Sequence, residues 1–413
     1  MAETSREVWI TGIGLVSSLA EGASAHWQHL AGEASPRPVI DSERFAPYAV
    51  HPLVALDFTK QIPKTSDRRQ MERWQQIGVY TAGLALADAG LAGDQSTLDR
   101  VDLTIAAGNG ERDLALDARV LTALGTSEAP EPILNQELAL GLRPTLYLGQ
   151  LSNLLAGNIS IVHKATGSSR TFKGEELAGV SAVADAAHRI ADNQGDVFLA
   201  GGALNAERED LLLGCEISHT LATGPYKSVW ERNPHGGGLV PGSVGAFLVL
   251  EASDHARSRG AVPYARLSRI VSDRALRHRE KSTDTATRLF DKLALQPENG
   301  RLAVLSGASG VEPVTTEEQN FLERVEQRGF KSCVRSWGSV LGHGIEAHFI
   351  AGIALAALAI SKKTFYPPFD ATEIEADRST PTDRILVTCF GHWRGEGLAL
   401  VESASESARE SAE

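Results

Sequence analysis

The strongest constraint on the fold of this chain is a recurring pattern of short apolar runs bounded by glycine. A short apolar run closed by a tight turn predicts a strand that is buried on both faces. The runs are EVWITGIG (7–14), LTIAAGNG (103–110), DVFLAGGA (196–203), VGAFLVLE (244–251), RLAVLSGASG (301–310) and RILVTCFG (384–391).

Helical patterns lie between these runs. Residues 72–91 have Ala- and Leu-rich faces and a glycine near the C-terminal end, whereas residues 344–363 are apolar nearly all round. An apolar helix of the second kind is buried between layers. Strands that alternate with helices predict an α/β fold, and we expect its central strands to be largely parallel.

The length of the chain predicts two packed halves. Its 413 residues exceed the roughly 250–300 residues at which a single core stops growing. The segments VFLAGGA (197–203) and AVLSGAS (303–309) suggest a weak internal duplication, because each reads as a strand that reaches a glycine turn. We therefore divide the chain into residues 1–252 and 253–403, followed by a low-complexity, charged tail at 404–413 that we expect to be disordered.

Composition excludes several classes of function. A formal charge of −12 disfavours nucleic-acid binding, which needs clustered Lys and Arg. No apolar run of about 18 residues and no signal peptide is present, so we expect a cytoplasmic protein without a membrane partner. The cysteines, Cys215, Cys333 and Cys389, lack C-x-x-C spacing and are expected to be buried, reduced thiols. We expect no metal and no other cofactor.

Several motifs, in their order along the chain, resemble the β-ketoacyl-ACP synthases, condensing enzymes of the thiolase fold. They are VWITGIGLVSSLAEG (8–22), ALADAGL (85–91), NLLAGNISI (153–161), VFLAGGA (197–203), HGGGLVPGSVGAFLVLEASDHARSRGA (235–261) and YPPF (366–369). The resemblance covers residues 7–402. It implies a duplicated, five-layered αβαβα fold and a dimer.

The resemblance places Glu176 where the family has its nucleophilic cysteine. The family's spacing between these motifs and its cysteine, counted without gaps from Asn153 forward or from Gly201 backward, leads to the same position. In the family a thiolate at a helix N-terminus attacks an acyl thioester, because backbone N–H groups and positive potential lower the pKa of the thiol. Glu176 is therefore either a helix cap or a carboxylate with a role of its own, such as a general base.

Other parts of the family's catalytic machinery are altered as well. Ala308 replaces the first of two histidines that polarise a thioester carbonyl, and no histidine lies near enough in sequence to substitute. His343 corresponds to the second histidine, but Gly338 stands where its motif has a lysine. The C-terminal gate and oxyanion loop is retained in position at Phe390, Gly391 and His392, but bulky residues replace its small, flexible ones. His343 is then either a structural relic or a residual catalytic group.

These losses favour a catalytically degenerate subunit, similar to the chain-length factors that pair with an intact ketosynthase in fatty acid or polyketide elongation. The expected partners are a Cys-containing ketosynthase paralogue, or a second copy of the chain, and an acyl carrier protein. Because a carrier protein is acidic, residues 64–70 (KTSDRRQ) are a candidate docking patch, although such a charge run is also typical of a solvated helix start.

Altered chemistry is the alternative function. Glu176 and His343 would then support decarboxylation, hydrolysis or acyl transfer on acyl- or malonyl-ACP thioesters. Ala308 counts against this hypothesis, because related decarboxylating proteins keep both histidines. A third hypothesis is a homodimer that binds acyl chains or carrier protein without chemistry.

Overall fold

The computed structural model describes residues 6–32, 37–232, 236–274, 281–297, 301–370, 372–375 and 382–404. Its strands are β1 Val8–Val16, β2 Asp102–Ala106, β3 Ser169–Phe172, β4 Val197–Leu204, β5 Val244–Ala252, β6 Ala265–Asp273, β7 Arg301–Ser306, β8 Lys331–Ser336, β9 Arg384–Phe390 and β10 Glu396–Glu402. Its helices are α1 Ala23–Leu30, α2 Thr65–Gln70, α3 Arg73–Asp88, α4 Gln95–Leu98, α5 Leu114–Thr126, α6 Pro130–Gly141, α7 Leu146–Gln150, α8 Leu154–His163, α9 Glu176–Ala191, α10 Glu209–Ile217, α11 Val229–Arg232, α12 Ser253–Ser258, α13 Ser282–Lys292, α14 Val314–Gln327, α15 Gly338–Leu341 and α16 His348–Ser361.

The strand order shows an internal duplication. The described strands join in the order β3-β2-β4-β5-β1-β6-β10-β9-β7-β8. Read outward from the β1–β6 junction, β1, β5, β4, β2 and β3 mirror β6, β10, β9, β7 and β8. The two sets of five meet only along a short stretch, where residues 8–10 of β1 pair with residues 265–267 of β6. The boundary that we propose at residue 252 falls between β5 and β6.

The duplication pairs different segments from those that the sequence suggested. By position in the sheet, β4 corresponds to β9, and β7 corresponds to β2. The pairing of 197–203 with 303–309 was therefore wrong, because it matched β4 with β7. Buried strands that end in small residues look alike in sequence, whatever their place in a sheet.

The prediction of largely parallel central strands was also wrong. The central pairs, from β4–β5 through β1 to β10–β9, are antiparallel, and the parallel pairs β2–β3, β2–β4, β7–β8 and β7–β9 lie toward the edges. Continuous apolar runs are typical of parallel strands because helices cover both of their faces. Here helices cover both faces of antiparallel strands as well, so the pattern does not distinguish the two.

Packing of the helices confirms the five-layered αβαβα fold. α3 and α8 pack on strands of the first half, and α13 and α14 pack on strands of the second half. α9 and α16 contact each other and strands of both halves, so they form the central layer. α16 is buried along its length, as its uniformly apolar sequence predicts.

The two predicted helices are present, and the predicted tail is almost entirely outside the described residues. The helices predicted at 72–91 and 344–363 are present as α3 and α16, and a short 3₁₀ turn at Ile345–Ala347 precedes the second. All but the first residue of the predicted disordered tail, 404–413, lies outside the described residues.

Candidate active site

A sharp turn between β3 and α9 places Glu176 at the helix N-terminus. β3 ends at Phe172, and α9 begins at Glu176 itself. Just before the helix, Glu175 has φ 53° and ψ −133°, and Gly174 has φ 134°. A positive φ at a non-glycine residue is uncommon and is concentrated at functional sites. The chain therefore makes a strained strand-to-helix elbow at the position where the family resemblance places a nucleophile.

Glu176 is buried and bonded to the gate loop. Its side chain is 2% exposed, and its Oε1 accepts a hydrogen bond of 2.6 Å from Nδ1 of His392. His343 Nε2 lies 3.8 Å from the same oxygen. The second carboxylate oxygen, Oε2, has no hydrogen-bond partner in the described structure. The carboxylate is therefore enclosed between two histidines, His343 and His392.

The surroundings of Glu176 favour its ionised form. Burial alone would raise the pKa of this carboxyl, but the charge of His392 and its hydrogen bond, with a smaller effect of His343, lower the pKa to about 2. The N-terminus of α9 acts in the same direction, because its partial positive charge stabilises an anion. Glu176 is therefore a carboxylate at neutral pH and a weak base.

His343 lies in a stack of buried rings. Its ring centroid is 4.0 Å from that of His348, which in turn stacks on Trp337 at 4.7 Å. Its Nδ1 accepts a 3.3 Å hydrogen bond from the backbone N–H of Ile345, whereas Nε2 has no hydrogen-bond partner. Burial and the neighbouring His348 hold the pKa of His343 well below its usual value. The ring is therefore neutral at pH 7.

Ala308 and Gly338, where the resemblance expects a histidine and a lysine, lie side by side. A Cβ at Gly338 would be 3.2 Å from the carbonyl oxygen of Ala308 and 3.5 Å from Cε1 of His348. The His348 ring thus lies beside this space. Burial lowers the pKa of His348 to about 3. Its Nδ1 accepts from Trp337 Nε1 at 3.2 Å, so the ring is neutral and fixed in place.

The gate loop forms a tight turn after β9. Phe390 is buried against Phe321, with ring centroids 5.7 Å apart, and the N–H of Gly391 donates to the carbonyl of Gly395. The carbonyl oxygen of Arg394 would lie 2.3 Å from a Cβ at Gly391, so only glycine fits there. The side chain of Arg394 pairs with Glu175 at 3.2 Å. Both glutamates of the elbow therefore hold this loop, through His392 and Arg394.

A cleft of about 610 Å³ opens beside the gate loop. His392 forms part of its wall, whereas Glu176 and His343 do not line it. The other lining residues include charged or polar ones: Arg112, Lys173, Glu175, Arg208, Asp210 and Glu346. His392 therefore separates the buried carboxylate from the space in which a ligand would bind.

Sequence reasoning missed Glu346 as a site residue. This carboxyl is buried, lines the cleft and leaves Oε2 without a hydrogen-bond partner. Burial raises its pKa to about 7, and the negative charges of Glu176 and Glu175 act in the same direction. An acidic residue three positions after His343, in an otherwise apolar stretch, was the available signal.

The cysteines divide into two groups. Cys333 and Cys389 are buried, as expected, but Cys215 is half-buried and lines the cleft, so the expectation of burial was wrong for this residue. Cys215 lies near the C-terminal end of α10, and burial raises the pKa of its thiol. The raised pKa favours the protonated thiol, which is a poor nucleophile.

Among the described residues, no group of three or more His, Cys, Asp or Glu side chains could hold a metal ion. No helix in the same part of the chain is both long and apolar enough to span a bilayer.

The duplicated five-layered fold and the strained elbow define a thiolase-like architecture. A family model described as "Beta-ketoacyl synthase, N-terminal domain" matches residues 5–256. The chain belongs to the beta-ketoacyl synthase family.

Individual relatives are similar at a lower level. The chain is 26% identical over 270 residues to 3-oxoacyl-(acyl-carrier-protein) synthase 2 of Vibrio cholerae, which covers 63% of this chain and 62% of that protein. It is 29% identical over 273 residues to the tetracenomycin polyketide synthase ketoacyl synthase beta subunit of Streptomyces glaucescens, with the same coverage. The chain thus spans less than two thirds of each of these relatives. A solved structure titled "The ishigamide ketosynthase/chain length factor" has a TM-score of 0.78 at 19% identity, over 97% of this chain and 100% of that one.

Proposed function

We propose that the chain is a catalytically degenerate subunit, similar to a chain-length factor, that pairs with a Cys-containing ketosynthase during fatty acid or polyketide elongation. The observation that carries the proposal is the Glu176–His392 pair. Condensation needs a thiolate at the elbow to hold the acyl chain as a thioester. A carboxylate with a pKa of about 2, bonded to the gate loop and excluded from the cleft, neither forms that thioester nor acts as an efficient base.

The surface around α5–α8 supports a partner subunit. Large apolar side chains are exposed there: Leu121, Leu134, Leu138, Leu140, Tyr147, Leu148, Leu151 and Ile161. Exposed apolar surface of this extent is typical of a protein interface. β3 lies at one end of the described sheet and pairs there only with β2, so its free edge offers a further surface for pairing.

The charged lining of the cleft indicates which kind of acyl chain would bind there. A long hydrocarbon binds in a predominantly apolar cavity, whereas charged groups fix the orientation of polar ligands. Lys173, Arg208 and Glu346 therefore favour a polar, oxygen-bearing chain over a long alkyl chain. This preference supports a polyketide-type chain within the proposed function.

The alternative chemistry has less support. Decarboxylation or acyl transfer through Glu176 and His343 requires both groups to reach a bound thioester. Neither lines the cleft, and both are fixed by contacts with histidine rings.

An acyl carrier protein is the other proposed partner. Lys64, which precedes α2, and Arg69, in its last turn, are exposed, whereas Arg68 is half-buried and donates to the carbonyls of Ile62 and Pro63. Two exposed cations remain to meet an acidic partner. Reversing both, in Lys64→Glu/Arg69→Glu, should weaken carrier-protein binding most strongly at low salt, since exposed charges are screened as ionic strength rises.

Native pull-down of the tagged chain from its own cells, followed by mass spectrometry, tests the proposal. We expect stoichiometric recovery of a ketosynthase that has the cysteine and both histidines. Leu140→Glu, which charges the exposed apolar surface, should abolish this recovery. Val262→Glu is the control, because Val262 is similarly exposed but lies between α12 and β6. Recovery of the chain alone, as a homodimer, would contradict the proposed pairing.

A condensation assay tests the degeneracy independently. Purified chain with acyl- and malonyl-carrier protein should form no condensation product and carry no covalently bound acyl group. Condensation by the chain alone would show that it is a complete enzyme.

A further inference from the structure

Arg232 is a buried cation whose hydrogen-bonding groups are not all satisfied. It lies at the end of α11 and is 5% exposed. Its Nε and Nη1 atoms have no hydrogen-bond partner, and it forms no ion pair with an acidic side chain in the described part of the chain. Burial lowers the pKa of this guanidinium only to about 10, so it remains charged at pH 7.

The groups near Arg232 compensate its charge only in part, through Asp370. The hydroxyl of Tyr226 donates to the carbonyl of Ser339, and burial raises the pKa of that phenol, so it is neutral. The charge of Asp370 favours the guanidinium from a distance, but it forms no ion pair with it, and its Oδ2 accepts from Ser228 Oγ at 2.5 Å and from the N–H of Trp230 at 3.2 Å. His51 is also neutral, because burial lowers its pKa to about 3.

An uncompensated buried charge is costly. The effective penalty for moving an ion out of water is several kcal/mol, and proteins offset it with a paired charge or with hydrogen bonds. Arginine cannot escape this penalty by losing its proton at neutral pH. An anion beside Arg232 would supply acceptors for Nε and Nη1 and would offset the rest of this penalty.

A cavity next to Arg232 provides space for that anion. It has a volume of about 200 Å³, and its lining includes Lys227, Thr223 and Tyr226 as well as Arg232. It shares no lining residue with the cleft beside His392. The volume is below the roughly 300–1,000 Å³ of cavities that hold drug-sized ligands, which excludes an acyl chain or a nucleotide as the occupant.

The cavity adjoins the loop that carries Ala308. A Cβ at Gly310 would lie 3.1 Å from Cζ of Arg232, so this loop packs directly on the guanidinium. The charge of Arg232 also contributes to the lowered pKa of His343. An anion bound here would therefore lie behind the candidate active site, not in its cleft.

We propose that this cavity binds a small oxyanion, a carboxylate or a phosphate, with Arg232 as its principal ligand and Lys227 as a second cation. A guanidinium presents two parallel N–H donors that match the oxygens of either group. The shared chemistry leaves two sources, a free phosphate ion or a short carboxylic acid. The proposal does not depend on the proposed function of the subunit.

Calorimetric titration and thermal unfolding of the full chain test the proposal, with sodium phosphate, sodium malonate and sodium chloride at equal ionic strength. We expect phosphate or malonate, but not chloride, to bind and to raise Tm with the logarithm of its concentration. The anion with the lower Kd identifies the source. Arg232→Met should weaken that binding by roughly 10- to 100-fold, the loss expected for hydrogen bonds to a charged group.

Two further variants separate a binding role from a structural one. Arg232→Lys keeps the charge but not the paired donors, so its affinity should lie between those of the wild type and Arg232→Met. Arg100→Met removes an exposed arginine and should leave binding unchanged. Without added anion, Arg232→Met should be at least as stable as the wild type, because it removes a buried charge that has no ion pair in the described structure. Equal responses of wild type, Arg232→Met and Arg232→Lys, or no response beyond that to chloride, would overturn the proposal.

Discussion

Glu176 remains ionised inside the protein because three features favour its charge together. His392 bonds to one oxygen, Nε2 of the neutral His343 ring lies 3.8 Å from that oxygen, and Glu176 is the first residue of α9, where the helix carries partial positive charge. The preceding residue, Glu175, is equally acidic but half-exposed, and it pairs with the exposed Arg394. Two adjacent glutamates thus contact the same loop, one in the interior and one at the surface.

A double-mutant cycle on the inner pair should measure a large coupling. Glu176→Gln and His392→Gln are expected to be coupled by roughly 1–3 kcal/mol in the free energy of unfolding at pH 7, because the pair is buried. The outer pair, Glu175→Gln and Arg394→Gln, is the control and should be coupled by less than about 1 kcal/mol. Urea unfolding measures both. An inner coupling no larger than the outer one would contradict the low pKa of Glu176.

The same carboxylate should give a defined pH dependence. Its folded pKa of about 2 lies below the value of about 4.3 for an unfolded glutamate. Its contribution to stability is therefore present above about pH 4 and is lost as pH falls toward 2. The difference in unfolding free energy between wild type and Glu176→Gln should shrink over this range. A constant difference would show that folding does not lower the pKa of Glu176.

At the residue scale, the sequence predicts positions better than contacts. Glu176 and His343 could be located because each lies in a recognisable motif context. The hydrogen bond between Glu176 and His392 joins residues 216 positions apart, and no local sequence pattern predicts it. His348 was missed for a similar reason, since only folding brings it beside Ala308. Contacts of this kind depend on how the two halves meet.

At the element scale, a glycine in α9 determines how closely this helix approaches the loop that follows His343. A Cβ at Gly179 would lie 2.5 Å from the carbonyl oxygen of Glu346, so this face of α9 packs directly on the backbone that follows His343. α9 carries Glu176, and this contact fixes its distance from the histidine stack. A glycine in a helix, which usually lowers stability, is required here by packing.

Two glycine substitutions in helices should therefore have opposite effects. Gly179→Ala should destabilise the protein by roughly 1–3 kcal/mol, because the added methyl group forces the helix and the loop apart. Gly214→Ala is the matched control in α10, where nothing lies within 4 Å of the added Cβ, and it should stabilise by up to about 1 kcal/mol. Denaturant midpoints measure both changes. Stabilisation by both would contradict the close packing of α9.

The sequence predicted the positions of strands and helices better than it predicted strand direction and the pairing of repeats. The apolar runs located β1, β4 and β9, and the helical patterns located α3 and α16. Strand direction was predicted wrongly because burial of both faces removes the alternation that usually marks antiparallel strands. The correspondence of β4 with β9 could not be predicted, because the two halves repeat their strand order but not their amino-acid sequence.

At the scale of the whole molecule, the fold buries carboxyl groups that are largely protonated below neutral pH. Burial raises the pKa of Glu318, Glu346 and Glu375 to about 7 in each case. Glu318 lies between the two outer layers of the second half, where Ser306 and Thr388 donate to its Oε1 at 2.7 and 2.5 Å. Each of these groups binds a proton more tightly in the folded chain than in the unfolded chain.

This excess of bound protons predicts that stability falls as pH rises from about 4.5 to 7. A raised folded pKa contributes stability that is complete below the unfolded pKa and is lost as pH rises through the folded pKa. Glu318→Gln, which resembles the protonated acid in shape, should flatten this decline by a few kcal/mol between pH 5 and pH 8. Glu323→Gln is the control on the same helix, because Glu323 is exposed and should leave the slope unchanged. Unfolding free energies from urea titrations at both pH values measure the slope. An unchanged slope in Glu318→Gln would mean that this carboxyl is ionised throughout, in which case Ser306 and Thr388 stabilise an anion at the centre of the second half.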